Sequence, residues 1–409
     1  MRNILIILIF FLFHFSAVFA GGYQVSLHNQ KNIGMGLIGT SLIDDASSVF
    51  YNPGALAKIP SDYSFLAGVS GIRSITKFQL ESPSIYQAAT DNPIGFPFYF
   101  YASARINPSV SFGLAINTPF GNRLKWEDGW AGRFIIQEIS LQAITVQPSI
   151  SYKINEMISI GAGLVVAMGS VDMKRKLPVQ DDSGEGQVNI NGSTTNYGFN
   201  AGILITPLEN LNLGLSYRSL INMKVEDAEA RFSVPASLAN NFPENNTVAT
   251  SLPLPANLDF GISYRFSENI TAGISLNYVF WDAYKSLDFD FETNTAVVTD
   301  TQNPREYKNR LIFRLGAEYK VIENVYLRAG SYYDPSPVNE KYFSPETPGL
   351  NNLGITAGMS FFPLPELSID LSFIYIVGFK KEAIYTPDNF GGIYKSRAYI
   401  PGIGVSYSF

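Results

Sequence analysis

The stretch LDFGISYRFSENITAGISLNY, residues 258–278, decides the fold class because apolar residues alternate along it with small or polar ones. Successive side chains of a β-strand point to opposite faces, so this period of two predicts two strands, each with one apolar face. The polar Ser267–Asn269 step between them predicts a tight turn. The stretch is therefore interpreted as an antiparallel hairpin.

The same alternation recurs along most of the chain, and the connections fall into two classes. Six are short, at 107–108, 155–156, 207–210, 267–269, 323–324 and 364–366. Seven are long and polar, near 74–94, 118–132, 174–187, 225–254, 284–305, 334–350 and 379–395. Short and long connections alternate strictly, as they do in outer-membrane barrels with short periplasmic turns and longer outer loops. A soluble sandwich or lipocalin-like barrel, the alternative, has no reason to sort its loops by side.

Each of the seven long loops joins the two strands of one hairpin, so the chain is expected to contain 14 strands. The predicted fold is all-β, a 14-stranded antiparallel transmembrane β-barrel. Single-chain bacterial barrels have even strand numbers. The expected strands cover 62–73, 95–106, 109–117, 133–153, 157–173, 188–206, 210–224, 255–266, 270–283, 306–320, 324–333, 351–362, 367–378 and 396–409.

The composition supports a membrane barrel, since the chain contains 23 Tyr, 30 Phe and 34 Gly. Interfacial aromatic residues are expected at both rims of such a barrel. Tyr264 precedes a short turn, whereas Phe280 and Trp281 approach a long loop. The terminal Phe409 resembles the carboxy-terminal signature read by the barrel assembly machinery, which is therefore an expected partner.

The first 20 residues are interpreted as a signal peptide. Arg2 precedes an apolar run of about a dozen residues, too short to cross a bilayer as a helix, and small residues then lead to a cleavage site before Gly21. No later stretch of 18 residues is apolar and free of charges. The predicted location is the outer membrane of a Gram-negative bacterium.

Residues 21–60 do not alternate, and they are too apolar for a disordered tail. A barrel of 14 strands is too wide for side chains alone to fill. We therefore expect 21–60 to form a small hatch inside the barrel, so that the chain divides into a signal peptide (1–20), a hatch (21–60) and a barrel (61–409).

Catalysis finds little support, because His28 is the only histidine after the leader and Cys is absent. The adjacent carboxylates Asp44-Asp45 and Asp181-Asp182 suit solvated loops or caps. No catalytic residue, metal site or cofactor is expected, and the protein is predicted not to be an enzyme. A net charge of -6 without a Lys/Arg cluster argues against nucleic acid as a partner.

Several motifs resemble those of the FadL/TodX family of outer-membrane transporters for long-chain fatty acids. Gly21-Gly22-Tyr23-Gln24-Val25 resembles the start of the mature chains, and Gly34, Gly36 and Gly39 followed by Asp44 to Ser47 and Phe50 to Pro53 resemble the hatch motif. Three further stretches resemble family segments: 118–121, 129–134 and 148–163. One departure is Gly54, where the family usually has Ala after Asn-Pro.

The resemblance implies passive uptake of long-chain fatty acids or related hydrophobic compounds into the outer membrane. It implies a ligand pocket near the hatch amino terminus at Gly22 and Tyr23, and a hatch motif that includes Asp45, Asn52, Pro53 and Gly54. It also implies lateral release into membrane lipid at the third strand, predicted as 109–117. The residues assigned to that opening are Gly113, Asn117 and Pro119.

A fatty-acid carboxylate needs a hydrogen-bond donor, and Arg133, Arg310 and Arg314 are candidates on strands or at a rim. These arginines could equally balance acidic lumen residues such as Asp259 or Glu318. Other functions stay open: the same fold carrying aromatic or other hydrocarbons, a polar-solute porin, a surface adhesin or receptor, and an outer-membrane hydrolase. The protein is expected to be a monomer.

Overall fold

The computed structural model describes residues 22–181, 184–243 and 245–409, so the predicted signal peptide lies outside the described residues. One antiparallel sheet contains all the strands in this part of the chain. They are β1 (Tyr63–Ser70), β2 (Arg73–Leu80), β3 (Gln87–Ala89), β4 (Phe98–Asn107), β5 (Val110–Lys125), β6 (Glu138–Lys153), β7 (Ile158–Asp181), β8 (Gly184–Leu208), β9 (Leu211–Arg218), β10 (Ile221–Ser233), β11 (Asn245–Leu254), β12 (Asn257–Ser267), β13 (Ile270–Val279), β14 (Asp290–Phe291), β15 (Arg310–Ile322), β16 (Val325–Asp334), β17 (Asn352–Leu364), β18 (Leu367–Tyr385) and β19 (Phe390–Ser408).

The sheet closes into a barrel because β1 pairs with both β4 and β19. The closing register runs from Ser64 opposite Ser408 to Ser70 opposite Gly402. The ring contains 14 strands, namely β1, β4 to β9, β12, β13 and β15 to β19. Each neighbouring pair is antiparallel, which confirms the predicted fold class.

The outer connections differ from the prediction, because four of them are largely β-structure. The stretches expected as loops at 174–187 and 379–395 continue the β7–β8 and β18–β19 hairpins. Within 74–94, β2 and β3 extend the wall beside β19. Within 225–254, β10 and β11 extend it beside β8. Polar residues hid these strands from the sequence pattern, because this part of the wall no longer needs an apolar outer face.

The third strand of the ring was also predicted too short. β5 continues to Lys125, beyond the expected end at residue 117, after a bulge at Thr118 and Pro119. Bulges bend a strand and interrupt its ladder locally, and Pro removes a donor. The proline therefore marks an irregularity within the strand.

The two faces of the wall are clear in β19. From Arg397 to Tyr407 the odd-numbered side chains are exposed, whereas Ala398, Ile400 and Ser406 are buried towards the lumen. Exposed apolar side chains on the outward face are what a lipid environment requires. No helix in the described parts of the chain is long and apolar enough to cross a membrane.

Residues 22–60, called the N-terminal segment below, pack inside this ring. They form α1 (Gln30–Gly34), α2 (Ser48–Tyr51) and a 3-10 helix (Pro53–Lys58). Wall glycines permit very close contact: a Cβ at Gly214 would lie 2.0 Å from the Thr40 carbonyl oxygen, and one at Gly316 would lie 2.2 Å from that of Met35. The segment thus packs directly on the wall backbone.

A large apolar core lies in the outer half of the barrel. Lumen-facing wall residues such as Ile139 and Val165 pack there with outer-connection residues such as Phe289 and Phe343. Tyr23 joins this core from the N-terminal segment. The outer connections therefore fold inward and cover the barrel mouth.

Candidate functional site

Asn52 joins the N-terminal segment to the wall at a turn. Its side-chain oxygen accepts a hydrogen bond from the Gly54 backbone N–H (3.0 Å), which caps the 3-10 helix that begins at Pro53. Its amide nitrogen donates to the carbonyls of Thr40 (2.8 Å) and Ile203 (3.0 Å). One fully buried side chain thus links two parts of the segment to β8.

Gly54 fills a position where a side chain would collide with the wall. A Cβ there would lie 2.7 Å from the Gly202 carbonyl oxygen and 2.9 Å from the Ile203 Cα. The Gly54 carbonyl accepts a hydrogen bond from the Ser159 hydroxyl (2.6 Å), so the turn is held against β7 as well. This close packing gives a physical reason for glycine where the family usually has alanine.

Asp45 organises the other half of the predicted hatch motif. It accepts hydrogen bonds from the Asn29 amide (3.1 Å) and the Ser47 hydroxyl (2.6 Å), and it pairs with Lys31 at 3.2 Å. Burial opposes ionisation, but Lys31 and Ser47 outweigh it and lower the pKa of Asp45. The buried carboxylate is therefore charged and ties α1 to the stretch before α2.

An apolar chamber lies above the N-terminal segment, on the outer side. Its empty volume is about 880 Å³, distributed as narrow space between side chains. The walls are mainly apolar and include Tyr23, Phe120, Ile139, Met223 and Phe289.

Tyr23 forms the floor of the chamber. Its ring contacts Trp281 (5.0 Å between centroids), Tyr284 (5.8 Å) and Phe120 (6.3 Å). Its hydroxyl donates to the Pro253 carbonyl. Gly22 precedes it and lies against the Trp281 ring. The structure thus places Tyr23 in the lining of the apolar chamber, with Gly22 directly before it.

A break in the wall lies next to this floor. β5 pairs with β4 as far as Asn117, opposite Tyr99, and with β6 it shifts register between Asn117 and Phe120. Beyond the bulge, the N-terminal segment takes the place of β4. The Val25 N–H donates to the Pro119 carbonyl (2.8 Å), and the Gly121 N–H donates to the Tyr23 carbonyl (2.9 Å).

A second cavity opens at this break, between β5 and residues 93–97. Its empty volume is about 910 Å³ and its walls include Val25, Phe96 and Phe120. Phe96 is 65% exposed, as suits a residue facing lipid. Phe120, Gly121, Leu141 and Gln142 line both this exit cavity and the apolar chamber. The wall of this second cavity also carries polar residues such as Asn122 and Arg123, so residues 23–25 lie between an apolar chamber and a cavity of mixed polarity that share one wall.

The three residues predicted for a lateral opening have different environments. Pro119 is in the bulge and accepts the hydrogen bond from Val25. Asn117 precedes the bulge and is buried, with its amide 3.3 Å from His28 Nδ1 and 3.1 Å from the Tyr101 hydroxyl. Gly113 lies in continuous ladder, against Val49, and so sits apart from the break.

A polar pocket lies below the floor. Arg218 donates to Gln147 (2.8 Å) and to the Phe50 carbonyl (3.0 Å), and Arg314 donates to the Leu37 carbonyl (3.2 Å). Asp259 lines the same pocket. Arg218 was not among the predicted site residues, and the fold shows that it contacts the N-terminal segment.

His28 is buried in the same pocket. Its ring lies 3.9 Å from that of Phe50. Burial, with the positive charges of Arg218 and Arg314, lowers the pKa of His28 well below its ordinary value. A neutral imidazole suits the Asn117 amide donating to Nδ1. The packing is that of a structural residue.

The three arginines predicted as carboxylate donors do not converge. Arg133 pairs with Glu185 at 2.7 Å near an outer connection. Arg310, at the outer end of β15, donates to the Ser336 carbonyl (2.5 Å). Of the three, Arg314 alone lines the polar pocket beside the N-terminal segment. Glu318 pairs with Arg328.

A closed barrel of 14 strands with an apolar outer face, and with a packed N-terminal segment inside, defines an outer-membrane β-barrel. The sequence profile of the family described as outer membrane protein transport protein (OMPP1/FadL/TodX) matches residues 12–409. The chain belongs to this family, which confirms the resemblance and the outer-membrane location.

Individual relatives agree with this assignment over nearly the whole chain. The long-chain fatty acid transport protein of Salmonella typhi is 24% identical over 95% of this chain and 94% of its own length. Outer membrane protein P1 of Haemophilus influenzae is 23% identical, over 95% of each chain.

Solved structures share the fold. A FadL homologue from Pseudomonas aeruginosa superposes with a TM-score of 0.83 at 20% identity, covering 96% of this chain and 100% of its own. The toluene transporter of Ralstonia pickettii gives a TM-score of 0.72 at 17% identity, covering 93% and 98%.

Proposed function

We propose that the protein carries long-chain fatty acids or related hydrophobic molecules from outside into the outer membrane, without catalysis. The observation that carries the proposal is the apolar chamber, which residues 23–25 separate from a second cavity at the break in the wall. A ligand enters the chamber above Tyr23, the N-terminal strand withdraws from β5, and the ligand leaves sideways at the bulge. Residues 22–60 act as the hatch, and Asn52 and Asp45 hold it in place.

The physical chemistry favours this route for an apolar cargo. Each CH₂ group removed from water gains about 0.8 kcal/mol, and a water-filled pore offers none of that gain. An apolar chamber followed by an exit into lipid keeps the chain out of water throughout. Because the chamber is narrow, side chains must move apart as the ligand enters.

A bulky residue placed between the two cavities tests the route. Gly121 lines both, so a Gly121→Trp substitution puts an indole ring in the passage. We expect radiolabelled oleate uptake by cells to fall at least tenfold. The matched control is Ala317→Trp, which adds the same ring to the exposed outer face of β15 and should change uptake less than twofold. Normal uptake by Gly121→Trp would remove lateral release from the proposal.

The second candidate is a hydrocarbon cargo such as toluene. It is favoured because, among the described residues, no Lys or Arg lines the apolar chamber. Competition separates the two: with the purified protein, toluene should displace bound oleate only if both occupy the chamber. A hydrocarbon carrier would bind toluene more tightly than oleate. Steady ion conductance in planar bilayers would instead indicate a polar-solute porin.

A further inference from the structure

Four basic residues form a patch on the outside of the wall, away from the lumen. Arg73 and Lys77 lie on β2, and Lys395 and Arg397 lie on β19. All four are exposed, and the alternating residue Tyr394 is buried inside, so the four side chains point outward. They are called the basic patch below.

The two strands pair in a register that concentrates this charge. Lys395 lies directly opposite Lys77. Arg73 lies opposite Tyr399, and Tyr399 is the neighbour of Arg397 on the outward face of β19. Like charges directly opposite each other destabilise a sheet. The basic patch therefore needs a neutralising partner.

Protein carboxylates do not supply that partner. Among the residues that the structure describes, none of the four forms an ion pair. The acidic neighbours are Glu382 and Glu81. Glu382 is exposed on β18 opposite Ile393, and Glu81 lies beside Gly391.

Other basic residues near the outer side behave differently. Lys174 pairs with Glu138 at 3.5 Å, Lys224 with Glu226 at 2.7 Å, and Arg231 with Glu229 at 2.6 Å. Paired charges of this kind need no external anion. The basic patch instead combines four basic residues on one outward face, with no ion pair among the residues that the structure describes.

The position of the patch indicates what the anion is. Below it on β19, the outward residues from Tyr399 to Tyr407 are aromatic or apolar, and Tyr399 contacts Tyr375 (5.2 Å between centroids). The eight residue intervals from Tyr399 to Tyr407 span about 26 Å along the strand. Because barrel strands are tilted, this corresponds to about 20 Å across the membrane, close to the height of the apolar band of outer-membrane barrels. Arg397 and Lys395 follow Tyr399 outward, at the level of the outer headgroups.

We propose that the basic patch binds a phosphorylated acyl glycolipid of the outer leaflet, of the lipid A class. The guanidinium groups of Arg73 and Arg397 bind phosphate through paired N–H donors, and the two ammonium groups add point charge. The acyl chains then lie along the exposed apolar face of β19. This site is separate from the transport route, because it lies on the lipid side of the wall.

The test measures lipid A binding to the full chain purified in a non-ionic detergent. Native mass spectrometry counts bound lipid during a titration with bis-phosphorylated lipid A. The variant carries Arg73→Gln, Lys77→Gln, Lys395→Gln and Arg397→Gln, and we expect its affinity to fall at least tenfold. The matched control carries Lys174→Gln, Lys176→Gln, Lys224→Gln and Arg231→Gln, and it should bind within twofold of the wild type.

Two further measurements make the outcome decisive. The wild-type protein should bind dephosphorylated lipid A at least tenfold more weakly, and this arm needs no variant. If the fourfold variant fails to fold, as judged by heat-modifiable gel mobility, the double variant Lys77→Gln and Lys395→Gln should still lose at least threefold. Unchanged binding by a folded variant, equal binding of the dephosphorylated lipid, or equally tight binding of inorganic phosphate would overturn the proposal.

Discussion

The two ends of the N-terminal segment contact the barrel in different ways. Towards the short turns, its backbone packs directly on the wall, and buried side chains such as Asn52 hydrogen-bond across the contact. Towards the outer side, residues 23–25 are held by one short antiparallel pairing to β5, by side-chain hydrogen bonds from Tyr23 and Gln24, and by the ring contacts of Tyr23. In the proposed route, the lower part is the anchor and the upper part is the element that moves.

The largest effect should come from breaking the anchor by steric pressure. Gly214→Val together with Gly316→Val drives side chains into the carbonyls of Thr40 and Met35, where even a Cβ would lie within 2.2 Å. We expect the segment to leave the lumen, with steady conductance in planar bilayers at least tenfold above the wild-type leak. Gly71→Val is the control, because a Cβ there lies 3.8 Å from its nearest neighbour. If the conductance of the double variant stays at the wild-type level, the segment does not seal the barrel.

The next effect tests hydrogen bonding within the anchor. Asn52→Ala removes three hydrogen bonds and leaves buried carbonyls unpaired, so we expect a loss of about 2–4 kcal/mol in the free energy of unfolding. Urea unfolding in detergent micelles measures it. A loss below about 0.5 kcal/mol would contradict the role of Asn52 as the anchor, since single hydrogen bonds contribute about that much or more.

A smaller effect is expected at the neighbouring glycine. Gly54→Ala introduces the residue usual in the family, yet its Cβ would press on the backbone of Gly202 and Ile203. Overpacking of this kind costs about 1–3 kcal/mol, and the lower half of that range is expected for a single methyl group. The same urea titration checks it, and a gain in stability would show that the wall yields here.

The smallest effect belongs to the upper region. Tyr23→Phe removes the hydroxyl that donates to the Pro253 carbonyl but keeps the ring contacts. The loss in stability should be about 0.5–1.5 kcal/mol. Because the upper strand is then held less firmly, the initial rate of oleate uptake should rise. A slower rate would mean that the hydroxyl serves the ligand and not the closed state.

The number of ring strands and the alternation of short with long connections were predicted from the sequence. This was possible because a lipid-facing wall requires apolar residues at every second position of each strand. The prediction failed for the outer extensions β2, β3, β10 and β11, whose exposed faces are polar although lumen-facing residues such as Phe78, Met223 and Val248 are buried. It also ended the third strand at residue 117, because a proline inside a strand is indistinguishable in sequence from a proline after one.

The site was only partly predictable for a related reason. Tyr23, Asn52 and Pro119 follow from motifs, and the structure gives each a specific partner. The pairing of residues 23–25 with β5 joins positions about a hundred residues apart, and no local pattern encodes it. Arg218 was missed because one charged residue in an alternating strand looks like any other lumen residue.

The most direct test of the account locks the upper strand to β5. Gln24 lies opposite Phe120 in a β-bridge. The backbone hydrogen bonds on either side join Val25 to Pro119 and Gly121 to Tyr23, so Gln24 and Phe120 are a non-hydrogen-bonded pair. Side chains of such a pair are close enough for a disulfide. The chain has no cysteine of its own, so Gln24→Cys with Phe120→Cys gives a single defined crosslink. Gln24→Cys alone is the control for oxidation. We expect oleate uptake to fall to background in the oxidised double variant and to return on reduction, whereas undiminished uptake with the crosslink intact would contradict lateral release at β5.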